Sequence, residues 1–164
     1  SEMCIRDRPR PILKKINIVN VIKKSLDFIK MTSKSSINLI TKDKEIFING
    51  DEDQLNRVFI NLIKNSQEAI DEISKKDTKF KGNIDIEIDN NNDYIVCRLT
   101  DNGSGITDPK KAMTPYFTTK KTGTGLGLPI VTKIINEHLG DFSIRNKKKG
   151  KGTLISISLP KLNA

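Results

Sequence analysis

Asp101-Asn102-Gly103-Ser104-Gly105-Ile106, followed by Pro115-Tyr116-Phe117-Thr118-Thr119-Lys120 and Gly123-Thr124-Gly125-Leu126-Gly127-Leu128, decides how the chain is read. Two glycine clusters flank a segment that cannot be a regular helix or strand throughout. Glycines belong where backbone approaches a ligand closely or takes positive φ. The second cluster leads straight into a helical pattern, and a helix start offers bare N–H groups to an anion. Gly123, Gly125 and Gly127 do not have Rossmann spacing, and no Gly-Lys-Ser/Thr ends the cluster. Lys120 and Lys121 precede it and can neutralise phosphate charge. The stretch therefore predicts a nucleotide site with a flexible cover.

Side chains alternate along the strand that leads into it. Ile95, Cys97 and Leu99 share the inward face, and Asp101 falls on that face just past the strand end. A carboxylate there needs a partner. It accepts a hydrogen bond from a ligand, such as an exocyclic amine, or it caps its own Asn-Gly turn. Cys97 reads as a small core residue.

Outward from this stretch, apolar spacing predicts helices over Asn17 to Lys30, Asp51 to Lys75 and Leu126 to Leu139. Strands are predicted over 35–41, 45–49, 83–89, 94–100, 141–146 and 153–159. They come in hairpin-like pairs, so the fold class is α+β: a mixed, mostly antiparallel sheet with about three helices on one face. On the longest helix Asn61 and Asn65 lie within roughly 40° of each other, with Glu68 in the same strip. They are either surface amides or the polar wall of a cavity, where an amide oxygen suits magnesium. His138, the one histidine, sits near a helix end and reads as structural or surface. Phe117 either anchors the cover or belongs to the core.

The 164 residues carry a net charge of +9, and 35% are hydrophobic, enough for one domain. The charge is mostly lysine and reads as a solvated surface, since no nucleic-acid motif accompanies it. Two cysteines far apart exclude a disulfide framework or zinc site and fit a reducing, intracellular compartment. No apolar run is long enough to span a bilayer. Residues 1–11 are taken as a leader or linker remnant and residues 12–164 as the domain.

In order, these pieces resemble the catalytic ATP-binding domain of sensor histidine kinases, whose fold is shared with gyrase, Hsp90 and MutL. Asp53-Gln-Leu-Asn-Arg-Val-Phe-Ile-Asn61-Leu-Ile-Lys-Asn65-Ser-Gln-Glu-Ala-Ile70 resembles the N box. Asp101 to Ile106 resembles the G1 box, Pro115 to Lys120 the F box and Gly123 to Leu128 the G2 box. Gly150-Lys151-Gly152-Thr153 resembles the last hairpin. The likeness covers roughly Ile12 to Leu159. Its wording is closest to the nitrogen-regulation NtrY and NtrB group.

The resemblance implies a two-layer sandwich, the Bergerat fold, and the cofactors ATP and Mg²⁺. It implies Asn65 as magnesium ligand and Asn61 as a phosphate-side amide. Asp101 would accept the adenine amine, with Gly103, Gly105, Ile106 and Thr153 at that end. Gly123, Thr124, Gly125, Leu126 and Gly127 would shape the phosphate end. Phe117 and Thr119 would belong to the lid, and Lys120 would contact the terminal phosphate. Asn61 stands where hydrolytic relatives carry a glutamate base, which favours phosphotransfer. The acceptor histidine lies upstream in the family, in a dimerising hairpin, and no histidine precedes His138 here. The implied partners are that histidine domain and a response-regulator receiver domain, with no nucleic acid and no membrane contact by these residues. The implied location is cytoplasmic, whether or not the parent is anchored in a membrane. The alternatives are a hydrolytic ATPase of the same fold and a nucleotide-binding docking module.

Overall fold

The computed structural model describes residues 10–106 and 127–162. The elements are β1 (Lys14–Asn17), α1 (Ile18–Lys30), β2 (Ser36–Thr41), β3 (Phe47–Gly50) and α2 (Glu52–Ser74). There follow β4 (Asn83–Asn90), β5 (Tyr94–Asp101), α3 (Leu128–Glu137), β6 (Asp141–Asn146) and β7 (Thr153–Pro160). Five strands form one sheet in the order β2-β4-β5-β7-β6, and β1 pairs with β3 in a separate two-stranded ribbon. Only β2–β4 is parallel in the larger sheet. The mixed, mostly antiparallel α+β class is therefore observed.

One expectation is corrected. The strands over 35–41 and 45–49 do not form a hairpin with each other. β2 runs parallel to β4 with Ile37 opposite Ile84, whereas β3 pairs with β1, Ile48 opposite Ile16. Sequence adjacency favours a hairpin, but burial overrides it. Joining β2 to β4 places Ile37, Ile84, Ile86 and Ile88 in one apolar layer beneath the helices.

That layer continues through Ile95, Cys97 and Leu99 on β5 and Ile155, Ile157 and Leu159 on β7. Three described helices cover it. Ile18, Val21, Ile22, Leu26 and Ile29 of α1 face inward, as do Leu55, Val58, Phe59, Leu62 and Ile70 of α2. The alternate positions of β4 and β5, such as Glu87 and Arg98, face away from the helices and are at least partly exposed.

The helix starts follow from their caps. Asn17 Oδ1 accepts from the Val19 N–H at 3.1 Å. Asp51 Oδ1 accepts from the Gln54 N–H at 3.1 Å, and Glu52 and Asp53 occupy the first turn of α2. Asp51 also joins three elements. Its Oδ2 accepts from the Ile12 N–H at 2.9 Å, and its own N–H donates to Nε2 of His138 at 2.9 Å. His138 is buried at the end of α3, with Nδ1 2.7 Å from the Ile134 carbonyl. Of its two expected settings, structural or surface, the structural one is observed.

Candidate functional site

Asp101 ends β5 rather than following it, and it is only 3% exposed. Its Oδ1 accepts from the Gly103 N–H at 2.9 Å and from the Thr153 N–H at 3.3 Å. The turn cap is therefore real, and a second bond reaches across to β7. Oδ2 has no hydrogen bond among the described residues. Buried polar oxygens are normally satisfied, so one left open in a buried carboxylate calls for an external donor. The cap occupies one oxygen and the expected ligand contact would use the other, so the two are compatible.

The turn after Asp101 is fastened on two further sides. Asn102 Oδ1 accepts from the Asn83 N–H at 2.8 Å, and Asn102 Nδ2 donates to the Lys81 carbonyl at 2.9 Å. Gly103 lies on the backbone of α2, where a Cβ would stand 2.7 Å from Ala69 Cβ and 2.8 Å from the Ala69 carbonyl carbon. No side chain fits there. Ser104 donates its N–H to the Ala69 carbonyl at 3.1 Å and its hydroxyl to Glu72 Oε2 at 2.7 Å.

This docking point orients the asparagine strip. Residues 61, 65, 68 and 72 share one side of α2. Asn65 precedes Ala69 by one turn, about 6 Å along the axis, and Asn61 by two. The strip thus leads away from the Asp101 turn toward the start of α2. Asn61 is buried and Asn65 half-buried. The Asn65 amide makes no hydrogen bond among the described residues, whereas Asn61 and Glu68 are engaged.

The structure therefore brings Asp101, Gly103, Gly105, Ile106 and Thr153 into one cluster that docks on α2 at Ala69, one helical turn from Asn65 and two from Asn61. Gly127 is the N-cap residue of α3, and its carbonyl accepts from the N–H groups of Ile130 and Val131. The helix starts at Leu128, two residues later than its apolar spacing suggests. Phe117, Thr119, Lys120, Gly123, Thr124, Gly125 and Leu126 lie outside the described residues. Sequence reasoning did not find the roles of Asn83, Asn102, Ser104 and Glu72. The Asp-Asn-Gly-Ser run signalled a turn, but not the strand and helix that grip it.

Cys97 lies on the inner face of β5, away from this cluster, and burial pushes its thiol up to about 12. Among the described residues no group of three or more His, Cys, Asp or Glu is placed to hold a metal. An amide-led magnesium site that leaves other positions to phosphate oxygens and water does not need one.

Residues 50–163 match the family described as histidine kinase-, DNA gyrase B- and HSP90-like ATPase. The chain belongs to this ATPase family. Among its relatives in the family, sporulation kinase C of Bacillus subtilis is 34% identical over 98% of this chain. A sensor histidine kinase NtrY-like protein of Rickettsia conorii is 33% identical over 91% of it. The chain is thus similar to NtrY-like proteins and, to the same degree, to a sporulation kinase. The chain spans only 37% of the first relative and 24% of the second. The catalytic domain of the histidine kinase ThkA superposes with a TM-score of 0.77 at 26% identity, covering 92% of this chain and 96% of that domain. The two-layer ATPase-family sandwich is accordingly the fold of this chain.

Proposed function

We propose that the chain is the ATP-binding catalytic domain of a sensor histidine kinase, and that it presents the γ-phosphate of ATP to a histidine on a separate dimerisation domain. The observation that carries this reading is the open Oδ2 of buried Asp101, set beside a strip of α2 that holds the unbonded Asn65 amide. Asp101 accepts the exocyclic amine of adenine. Guanine would turn a carbonyl toward the same carboxylate and be repelled. Gly103 and Gly105 keep this end free of side chains, and Thr153 holds the Asp101 carboxylate through its backbone. Asn65 offers its amide oxygen to Mg²⁺, with Asn61 at the adjoining phosphate. The metal, when bound, neutralises charge on the phosphates. Lys120 and the cluster from Gly123 to Gly127 complete the phosphate end, with Phe117 and Thr119 in its cover.

One feature favours transfer to a protein over hydrolysis. Asn61 has no basic oxygen with which to take a proton from water. His138, the one histidine in the sequence, is buried, and both of its ring nitrogens face backbone groups. It is unavailable to a phosphoryl group, so the acceptor lies outside these residues. A response-regulator receiver domain would then take the phosphate. ThkA, a structural neighbour, is known in complex with the response regulator TrrA. No helix among the described residues is long and apolar enough to cross a membrane. The working location of this domain would be the cytoplasmic side of its parent.

The test is labelled ATP with and without an isolated histidine hairpin domain. Labelling of the hairpin supports the kinase reading. Steady phosphate release without it supports hydrolysis instead, and binding without any transfer leaves a docking module. Asn65→Ala should weaken Mg²⁺-dependent ATP binding by about 100-fold or more. Unchanged affinity in that variant sinks the metal assignment.

A further inference from the structure

The far end of the Asp101 turn is held by a residue outside every motif discussed above. The Ile106 N–H donates to Asn146 Oδ1 at 2.7 Å, and Asn146 Nδ2 donates to the Ile106 carbonyl at 2.7 Å. One side-chain amide thus takes both backbone groups of Ile106, as a neighbouring strand would. Gly105 fits beneath the same amide. Its φ is +82°, and a Cβ there would lie 2.9 Å from Asn146 Oδ1. Asn146 ends β6 directly opposite Thr153 on β7, and the Thr153 N–H donates to Asp101 Oδ1. A single cross-strand pair therefore grips both ends of the turn: Thr153 at Asp101, and Asn146 at Ile106.

We propose that Asn146 is a positioning residue for nucleotide binding, fixing Gly105 and Ile106 so that the turn keeps its shape around the open oxygen of Asp101. This rests on reading the site as an ATP site. Asn146 acts through the turn and does not itself touch the base. The chemistry requires an amide. Aspartate has the same shape but no donor, and it would set a carboxylate oxygen against the Ile106 carbonyl. Alanine leaves both backbone groups to water. A loosened turn no longer holds Asp101 in one place relative to the purine edge, so discrimination suffers along with affinity.

The experiment compares the purified wild-type chain with Asn146→Asp and Asn146→Ala, measuring ATP and GTP affinity by competition with a fluorescent nucleotide. Both variants should bind ATP about tenfold more weakly, because alanine loses both positioning bonds whereas aspartate loses the Nδ2 bond and repels the Ile106 carbonyl. Their ATP-to-GTP preference should shrink while the unfolding midpoint stays close to that of the wild type. Asn92→Ala, which removes an exposed amide from the turn between β4 and β5, should leave both affinities unchanged. A merely structural role would shift the midpoint without changing the ratio. The wild-type chain supplies an independent measurement: the Ile106 amide should exchange slowly with solvent, and rapid exchange there overturns the proposal even if neither variant folds. A wild type that binds no ATP refutes the site reading itself. A wild type that binds ATP, with variants equally tight and equally selective, refutes only the role of Asn146.

Discussion

His138 and Asp51 show how a buried polar residue acquires a role from a distant partner. The Asp51 N–H donates to Nε2, so that nitrogen carries no proton, and Nδ1 donates to the Ile134 carbonyl. The imidazole locks the end of α3 onto the start of α2. His138→Ala should cost about 2–3 kcal/mol by denaturant unfolding, because it leaves a cavity and strands the Asp51 N–H. ATP affinity should hardly move, and a large loss would place His138 nearer the site than its contacts do. Cys97 gives the opposite lesson. Alternation along β5 already marked it as core, and the thiol near 12 follows from burial alone. In a Cys4→Ser background, iodoacetamide at pH 8 should label the native chain far more slowly than the urea-unfolded chain, since the thiolate is the nucleophile. Equal rates would contradict the burial. Cys97 was legible because its setting is local. The setting of His138 was not, because its partner lies 87 residues away and nothing in the sequence connects the two.

Elements were legible where periodicity was strong and misleading where pairing was non-local. α1 and α2 were placed to within a residue or two by their apolar stripes and caps. β1 was missed, because Lys-Lys-Ile-Asn shows no alternation. The partner of β2 was misread, because its neighbour β4 follows only after β3 and the whole of α2. The last hairpin was found, but its glycines are not equivalent. Gly150 has φ +75° and open space for 4 Å around the place a Cβ would take, whereas Gly152 has φ +131° and would put a Cβ 1.9 Å from the Asp101 carbonyl oxygen. Gly150→Ala should therefore cost only about 1 kcal/mol, for backbone strain. Gly152→Ala should cost roughly 2–4 kcal/mol and weaken ATP binding too, because β7 must move off Asp101, whose carboxylate is proposed to receive the base. Denaturant titration and nucleotide binding measured on both variants check this. Equal costs would mean that the close approach of β7 to Asp101 is not a constraint.

In the whole molecule, the candidate site draws on β5, α2, β6 and β7, which meet only in the folded chain. The motif order made the family legible, but how Asp101 is shared between its turn and β7 became visible only with sheet register. A ligand that binds across these elements must stabilise the fold, because it binds the native state and not the unfolded one. At 100 times its dissociation constant such a ligand adds about 2.7 kcal/mol. For a domain of this size that raises the unfolding midpoint by roughly 5–10 °C. Mg-ATP should produce this shift, and a chelator should remove most of it, since on the proposed reading the phosphate end would lose its metal while Asp101 would still hold adenine. Asn65→Ala with Mg²⁺ should resemble the wild type with chelator. Asp101→Asn should lose the shift with or without metal, because its amide sets a donor or a weaker acceptor against the adenine amine. No shift with Mg-ATP in the wild type would refute nucleotide binding. A full shift that survives the chelator would leave the adenine end standing and remove Asn65 from the metal.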